Sequence, residues 1–135
     1  MPGLLTRYGL AEAVEDLFEK LDETEGLNAV TEIAAQEERL PENQEIMFYR
    51  IIQELVNNTL KHAEAKNIKL KTQMLPGQLE VVYTDDGKGF VVEEKLESRS
   101  IGLQSIQSRV NFLNGKLVIE SKPGAGVKYI IHIPV

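Results

Sequence analysis

Apolar positions recur every three to four residues in the first half of the chain and every two in much of the second. Leu10, Val14, Leu17, Phe18 and Leu21 fall at helical spacing, with Glu12, Glu15, Asp16, Glu19 and Lys20 mostly opposite. This pattern predicts an amphipathic helix over Leu10–Leu21. Gly26 punctuates its end. A weak alternation through Ala29, Thr31 and Ile33 predicts a strand over Leu27–Ala35. Leu40-Pro41 then opens the strongest helical pattern, about Glu42 to Ala63. Proline suits a first helical turn, and Glu42 and Glu45 complement the positive end of the dipole. The apolar positions Ile46, Phe48, Ile51, Ile52, Leu55, Val56, Thr59 and Leu60 form a broad surface. A surface that broad belongs to a helix laid against a sheet.

The period then changes. Ile68, Leu70, Thr72 and Met74 alternate with Lys69, Lys71 and Gln73, Pro76-Gly77 turns the chain, and Leu79–Thr84 returns it. This predicts a hairpin. A loop is expected from Asp85 to about Ile101. A helix follows over Gly102–Leu113, with Leu103, Ile106, Val110 and Leu113 on one face and Asn114-Gly115 as its stop. Lys116–Ser121 and Val127–Ile133 predict a last hairpin around Lys122–Gly126. Antiparallel strands with helices gathered on one face argue for a two-layer α/β sandwich of the α+β class, not a doubly wound sheet.

Composition narrows the function. A chain of 135 residues is one domain, large enough to fold without staples. It has no cysteine, which excludes a disulfide framework, a zinc-thiolate site and a thiol nucleophile. No apolar run reaches the ~18 residues of a membrane helix, so a cytosolic setting is expected, without membrane contact. The net charge of −6 disfavours nucleic acid, whose backbone needs a basic face. An anionic ligand would have to be caught locally.

Three elements carry candidate chemistry. Glu54, Asn58 and Lys61 share one face of the long helix, within an arc of roughly 60° at 100° per residue. A polar stripe of this kind is more often a solvated face. Here two adjacent asparagines, poor helix formers, sit in mid-helix, and amide and carboxylate oxygens at this spacing suit a hard cation such as Mg²⁺. Asp85-Asp86-Gly87-Lys88-Gly89-Phe90 follows an apolar strand. As D-D-G alone it reads as a turn. The full D-x-G-x-G also lets the backbone approach a planar ligand, with an acid placed to accept from an amino group. Gly102-Leu103 opens a helix, where free N–H groups attract phosphate; Lys88 and Arg109 would add charge. The charged segment Val91–Ser100 before it would serve as a lid. His62 and His132 are the only histidines and too distant in sequence to suggest a zinc site; His132 reads as a packed or edge-strand side chain. There is no G-x-x-x-x-G-K-[ST], which excludes a P-loop.

In this order the elements resemble the catalytic ATP-binding domain of bacterial sensor histidine kinases, of the Bergerat-type fold shared with gyrase, the heat-shock chaperone ATPase and the mismatch-repair ATPases. Gln53–Ala63 resembles the N box, Asp85–Phe90 the G1 box, Gly102–Arg109 the G2 box, and Pro123–Gly126 the glycine turn before the last strand. Leu40-Pro41 followed by Tyr49–Glu54 resembles the short-lid subfamily that pairs with NarL-type response regulators. The likeness covers roughly Tyr8 to Val135. It implies a mixed, mostly antiparallel sheet of about five strands with about three helices on one face.

The resemblance also implies roles. Asn58 would ligate the Mg²⁺ that bridges the phosphates of ATP. Glu54 would orient a metal-bound water or support the site, and Lys61 and His62 would contact phosphates. Asp85 would accept from the adenine amino group, in a pocket shaped by Gly87 and Gly89. Gly102 and Leu103 would offer backbone N–H groups to phosphate. Val127 stands where the family often has threonine, and the missing hydroxyl would either weaken a phosphate contact or change nothing. The reaction implied is γ-phosphoryl transfer to a histidine. That acceptor would sit on a dimerisation domain of which residues 1–9 look like the connecting remnant, leaving 10–135 as the ATP-binding domain. The expected chain is then a monomeric piece of a membrane-anchored kinase, unable to phosphorylate itself. The alternative is an anti-sigma-factor-type serine kinase of the same fold.

Overall fold

The computed structural model describes residues 9–24, 26–34, 40–91 and 101–135, with the side chains of His62, Ala63 and Ile101 excepted. Helix α1 spans Leu10–Asp22 and buries Leu10, Ala13, Val14 and Phe18, the i, i+3, i+4, i+8 stripe of an amphipathic helix. Asp16 and Lys20 pair at 2.9 Å on its exposed side. Such an exposed pair adds little, so burial of the stripe holds the helix in place. Asp22 Oδ1 accepts the Ala29 N–H at 2.9 Å, which ties the helix end to the first strand.

Strand β1 runs Asn28–Ile33. Helix α2, Glu42–Asn58, starts as Pro41 leaves the helical region and its carbonyl accepts the Gln44 and Glu45 N–H groups at 3.0 Å each. It continues without a break into a π-turn, Thr59–Ala63, closed by Glu64 in the left-handed region. Strands β2 (Asn67–Leu75) and β3 (Gln78–Asp85) form the first hairpin. Helix α3 spans Ile101–Phe112, and β4 (Lys116–Ser121) and β5 (Val127–Pro134) form the second hairpin.

The sheet order is β1-β2-β3-β5-β4. β1 pairs parallel to β2 and the other pairs are antiparallel. The parallel pair follows from α2, since two parallel neighbours need a crossover long enough to hold a helix. Strands β3 and β5 bury every second residue. Leu79, Val81, Tyr83, Tyr129, Ile131 and Ile133 therefore face the helices, where Ile52, Leu55, Ile106 and Val110 complete the core. The opposite face carries Glu80, Lys128 and His132 and leaves Val30 and Val118 about half exposed. Among the described residues the expected architecture is what forms: one mixed, mostly antiparallel five-stranded sheet with three helices on one face.

Candidate active site

β3 ends on Asp85, opposite Val127 of β5 and Ile68 of β2. Its place in the alternation turns the side chain toward the helices, where it is only 7% exposed. One oxygen accepts the Gly87 N–H at 3.0 Å. The other lies 2.9 Å from the Thr59 hydroxyl. Burial pushes the Asp85 carboxyl above its ordinary value, and these two donors hold it back. Tyr83, two residues earlier on the same face, places its hydroxyl 2.7 Å from Thr59. Its ring lies 6.1 Å from that of Tyr129, tilted by 57°. Burial drives both phenols upward, and a hydrogen bond with the Asn58 side chain partly offsets this at Tyr129.

The loop after Asp85 is fastened to the β4–β5 turn. Phe90 N–H donates to Ser121 Oγ at 3.0 Å, Ser121 donates to the Gly126 carbonyl at 2.7 Å, and Gly124 N–H donates to the Lys88 carbonyl at 2.5 Å. Gly89 has φ 63, and any Cβ there would collide with the Lys122 carbonyl, so both backbone freedom and space demand glycine. A cavity of about 650 Å³ opens at this end of the sheet, lined by Asp85 and Val127 together with the outward-facing Thr84, Glu120 and Lys128, and Asn58, Gly87, Gly89, Gly102 and Leu103 are not among its lining residues. That size falls in the range of small-molecule sites.

The second side of the site comes from α2. Asn58 is its last residue and half-buried, with Glu54 one turn earlier. Asn58 packs on the start of α3: a Cβ on Gly102 would come within 2.5 Å of Asn58 Oδ1. Gly102 therefore allows a close approach as well as presenting an amide. Asn58 thus meets the start of α3, while its neighbour Thr59 bonds Asp85 at the end of β3. Lys61 is exposed within the π-turn. The 100° arithmetic holds from Glu54 to Asn58 and then fails, because a π-turn is wound more loosely than an α-helix. Among the described residues, no cluster of three His, Cys, Asp or Glu is placed to hold a metal.

The remaining candidates are placed as follows. Gly87 is buried and serves Asp85 directly. Leu103 is core, 2% exposed, so only its backbone is available to a ligand. Val127 is buried beside Asp85 and lines the cavity. The His62 side chain and residues 92–100 of the expected lid lie outside the described residues. Arg109 lies seven residues beyond Gly102 on α3 and bonds Ser105 at 3.0 Å. At 1.5 Å per residue this is roughly 10 Å from the helix start. His132 sits on the inner strand β5 and bonds Glu80 across the sheet at 2.7 Å. Sequence reasoning missed Thr59, Tyr83 and Tyr129 as site residues. Their signal was a polar hydroxyl at otherwise apolar positions.

Residues 43–135 match the family described as histidine kinase-, DNA gyrase B-, and HSP90-like ATPase. The chain belongs to that ATPase family. ATP is the ligand this membership implies. Over 131 residues the domain is 38% identical to the signal transduction histidine-protein kinase/phosphatase DegS of Brevibacillus brevis, covering 97% of this chain and 34% of the relative. Over 133 residues it is 33% identical to the sensor histidine kinase ComP of Bacillus subtilis (strain 168), covering 98% of this chain and 17% of the relative. The domain thus spans about a third or less of these two relatives. The histidine kinase domain of the Erythrobacter litoralis EL346 blue-light activated kinase superposes with a TM-score of 0.77 over 93% of this chain and 59% of that one. At 20% identity this is a likeness of fold. Among the described residues no helix is long and apolar enough to cross a membrane.

Proposed function

We propose that this ATPase domain binds Mg-ATP and supplies its γ-phosphoryl group to a histidine on a separate dimerisation domain. The observation that carries this is the meeting of the three boxes. Asn58 packs on Gly102, and the adjoining Thr59 hydrogen-bonds Asp85. Asp85 accepts from the adenine amino group, with Gly87 and Gly89 shaping the loop beside it. The backbone N–H groups of Gly102 and Leu103, at the positive start of α3, receive phosphate. Lys61, exposed beside Asn58, adds positive charge, and His62 is assigned the same task. Val127, buried beside Asp85, closes the base end of the site with a methyl pair.

The donor set fits a hard cation. The Asn58 amide oxygen and the Glu54 carboxylate are oxygen ligands one turn apart, and magnesium takes few protein ligands and completes its shell with phosphate and water. When bound, Mg²⁺ supplies neutralisation of the phosphate charge. Asn58 is its direct ligand and Glu54 acts through water or by orienting Asn58. Residues 10–135 form the ATP-binding domain and residues 1–9 the connection to the phosphoacceptor domain. The parent is a membrane-anchored sensor with this domain on the cytosolic side, a NarL-type response regulator downstream and no contact with nucleic acid. By itself the domain is monomeric and does not phosphorylate itself.

Calorimetry with ADP or a non-hydrolysable ATP analogue, with and without Mg²⁺, tests the reading. Wild type is expected to bind, Asn58→Ala to lose the magnesium-dependent part, and Asp85→Asn to lose affinity with or without the metal. Absence of binding at millimolar nucleotide would sink the proposal.

A further inference from the structure

A chain of hydroxyl groups lies beneath Asp85, and the roles above leave its Tyr83 end unused. Thr59 Oγ1 is 2.9 Å from Asp85 Oδ2, 2.7 Å from the Tyr83 hydroxyl and 3.2 Å from the Leu55 carbonyl. Thr59, Tyr83, Leu55 and Asp85 are all buried. A threonine hydroxyl has one proton to donate. The Leu55 carbonyl only accepts, and so does an ionised Asp85. An ionised carboxylate 2.9 Å from Thr59 therefore needs Thr59's proton between them, and Tyr83 must then be the donor to Thr59. The order is Tyr83 to Thr59 to Asp85, with the Gly87 N–H on the other carboxylate oxygen. In the reverse order Thr59 spends its proton on Tyr83 or Leu55, and Asp85 has to be protonated to face it. A neutral acid is the weaker acceptor, since hydrogen bonds to a charged acceptor are roughly twice as strong.

We infer that Tyr83 is a positioning residue for base selection: by donating to Thr59 it commits Thr59's single proton to Asp85 and holds that carboxylate as a fixed, charged acceptor. The inference rests on the reading of Asp85 as the adenine acceptor. The ligand class it selects is a nucleotide whose base offers an exocyclic amino donor, adenine over hypoxanthine. Tyr83 itself touches no ligand; it stands two residues before Asp85 on the same face of β3, with its hydroxyl against Thr59.

The test is calorimetry of Mg-ADP and Mg-IDP with wild type, Tyr83→Phe, Thr59→Val and Thr59→Ser. The two nucleotides share their phosphates and differ in the group that meets Asp85. Wild type is expected to prefer ADP by at least about tenfold. Tyr83→Phe should cut that preference by about three- to tenfold, through ADP alone, and Thr59→Val by at least as much. Thr59→Ser, which keeps the hydroxyl, should stay within about twofold of wild type. A purely structural role would weaken both nucleotides together. An unchanged ADP-to-IDP ratio in Tyr83→Phe overturns the inference. If that variant does not fold, an unchanged ratio in Thr59→Val overturns it. Equal binding of ADP and IDP by wild type would remove the Asp85 reading and this inference with it. Binding of neither would instead remove the nucleotide reading as a whole.

Discussion

Asp85 faces the helices from the end of β3 with 7% of its surface exposed, whereas Asp86, one residue on, is exposed and turned the other way. Asp86 accepts the Lys66 and Asn67 N–H groups at 2.8 Å each and the Asn67 side-chain amide at 2.7 Å. These bonds hold its carboxyl below the ordinary value, led by Asn67. Burial does the opposite to Asp85. The contrast extends to the two faces of the sheet. The inner face holds apolar rows, two tyrosines and the Thr59–Asp85 bond. The outer face holds polar pairs, the exposed Lys69 with Glu32 at 2.9 Å and the partly buried His132 with Glu80 at 2.7 Å. One residue type therefore does two jobs. The buried acid is held by Thr59, Gly87 and the Val127 backbone at the end of β3, and the exposed acid fastens the loop at Lys66 and Asn67.

The sharpest way to break this comparison is a core deletion on the inner face. Leu70→Ala, at a fully buried position, should cost about 2–5 kcal/mol in denaturant unfolding. Asp85→Asn comes next: loss of a charged acceptor should weaken ADP by about 10- to 100-fold in calorimetry. It should leave the fold intact by circular dichroism, because burial already opposes the charge. Asp86→Asn should show the reverse profile, losing about 1 kcal/mol of stability after solvent screening while ADP affinity changes by less than about twofold. A large affinity loss there would erase the distinction between the two acids.

The same pair predicts a pH dependence. Asp86 and Glu80 have folded-state values below the ordinary carboxylate range. Their contribution is full above the unfolded value of about 4 and is lost as the pH falls through the folded value. Asp85 is raised, so its ionisation opposes folding as the pH rises past the unfolded carboxylate value. Urea melts from pH 3 to 7 should therefore show a shallower acid limb for Asp86→Asn than for wild type and a flatter approach to neutrality for Asp85→Asn. The smallest effect belongs to the open face. Val118→Thr, about half exposed on edge strand β4, should stay within about 0.5 kcal/mol of wild type.

The elements were legible because their signals are local. Leu10, Val14 and Phe18 write a 3.6-residue period, and Leu79, Val81 and Tyr83 a period of two. Both survive wherever one face is buried. The expected helix to Ala63 covers the observed α2 and π-turn together. Lys61 was placed by α-helical arithmetic across a segment that is not α-helical, so its angle to Asn58 was not legible. The glycines were legible as glycines, but not in purpose. Gly102 signalled a helix-start amide, while its contact with Asn58, 44 residues away in sequence, depends on how α2 lies beside α3. Asp86 read as an ordinary turn residue because its partners Lys66 and Asn67 lie 20 and 19 residues away.

By itself the sequence determined the α-helices and strands seen among the described residues, the motifs Gln53–Ala63, Asp85–Phe90, Gly102–Arg109 and Pro123–Gly126 in order, and hence the sandwich and its family. Each of these is a short-range pattern of size, polarity and backbone freedom. Only the tertiary structure decided that β1 runs parallel to β2, that Asn58 lies against Gly102, and that Tyr83, Thr59 and Asp85 share one line of hydrogen bonds. Thr59 and Asp85 are 26 residues apart. Which proton goes to which oxygen is set by distances between elements, and no local pattern of residues encodes those distances.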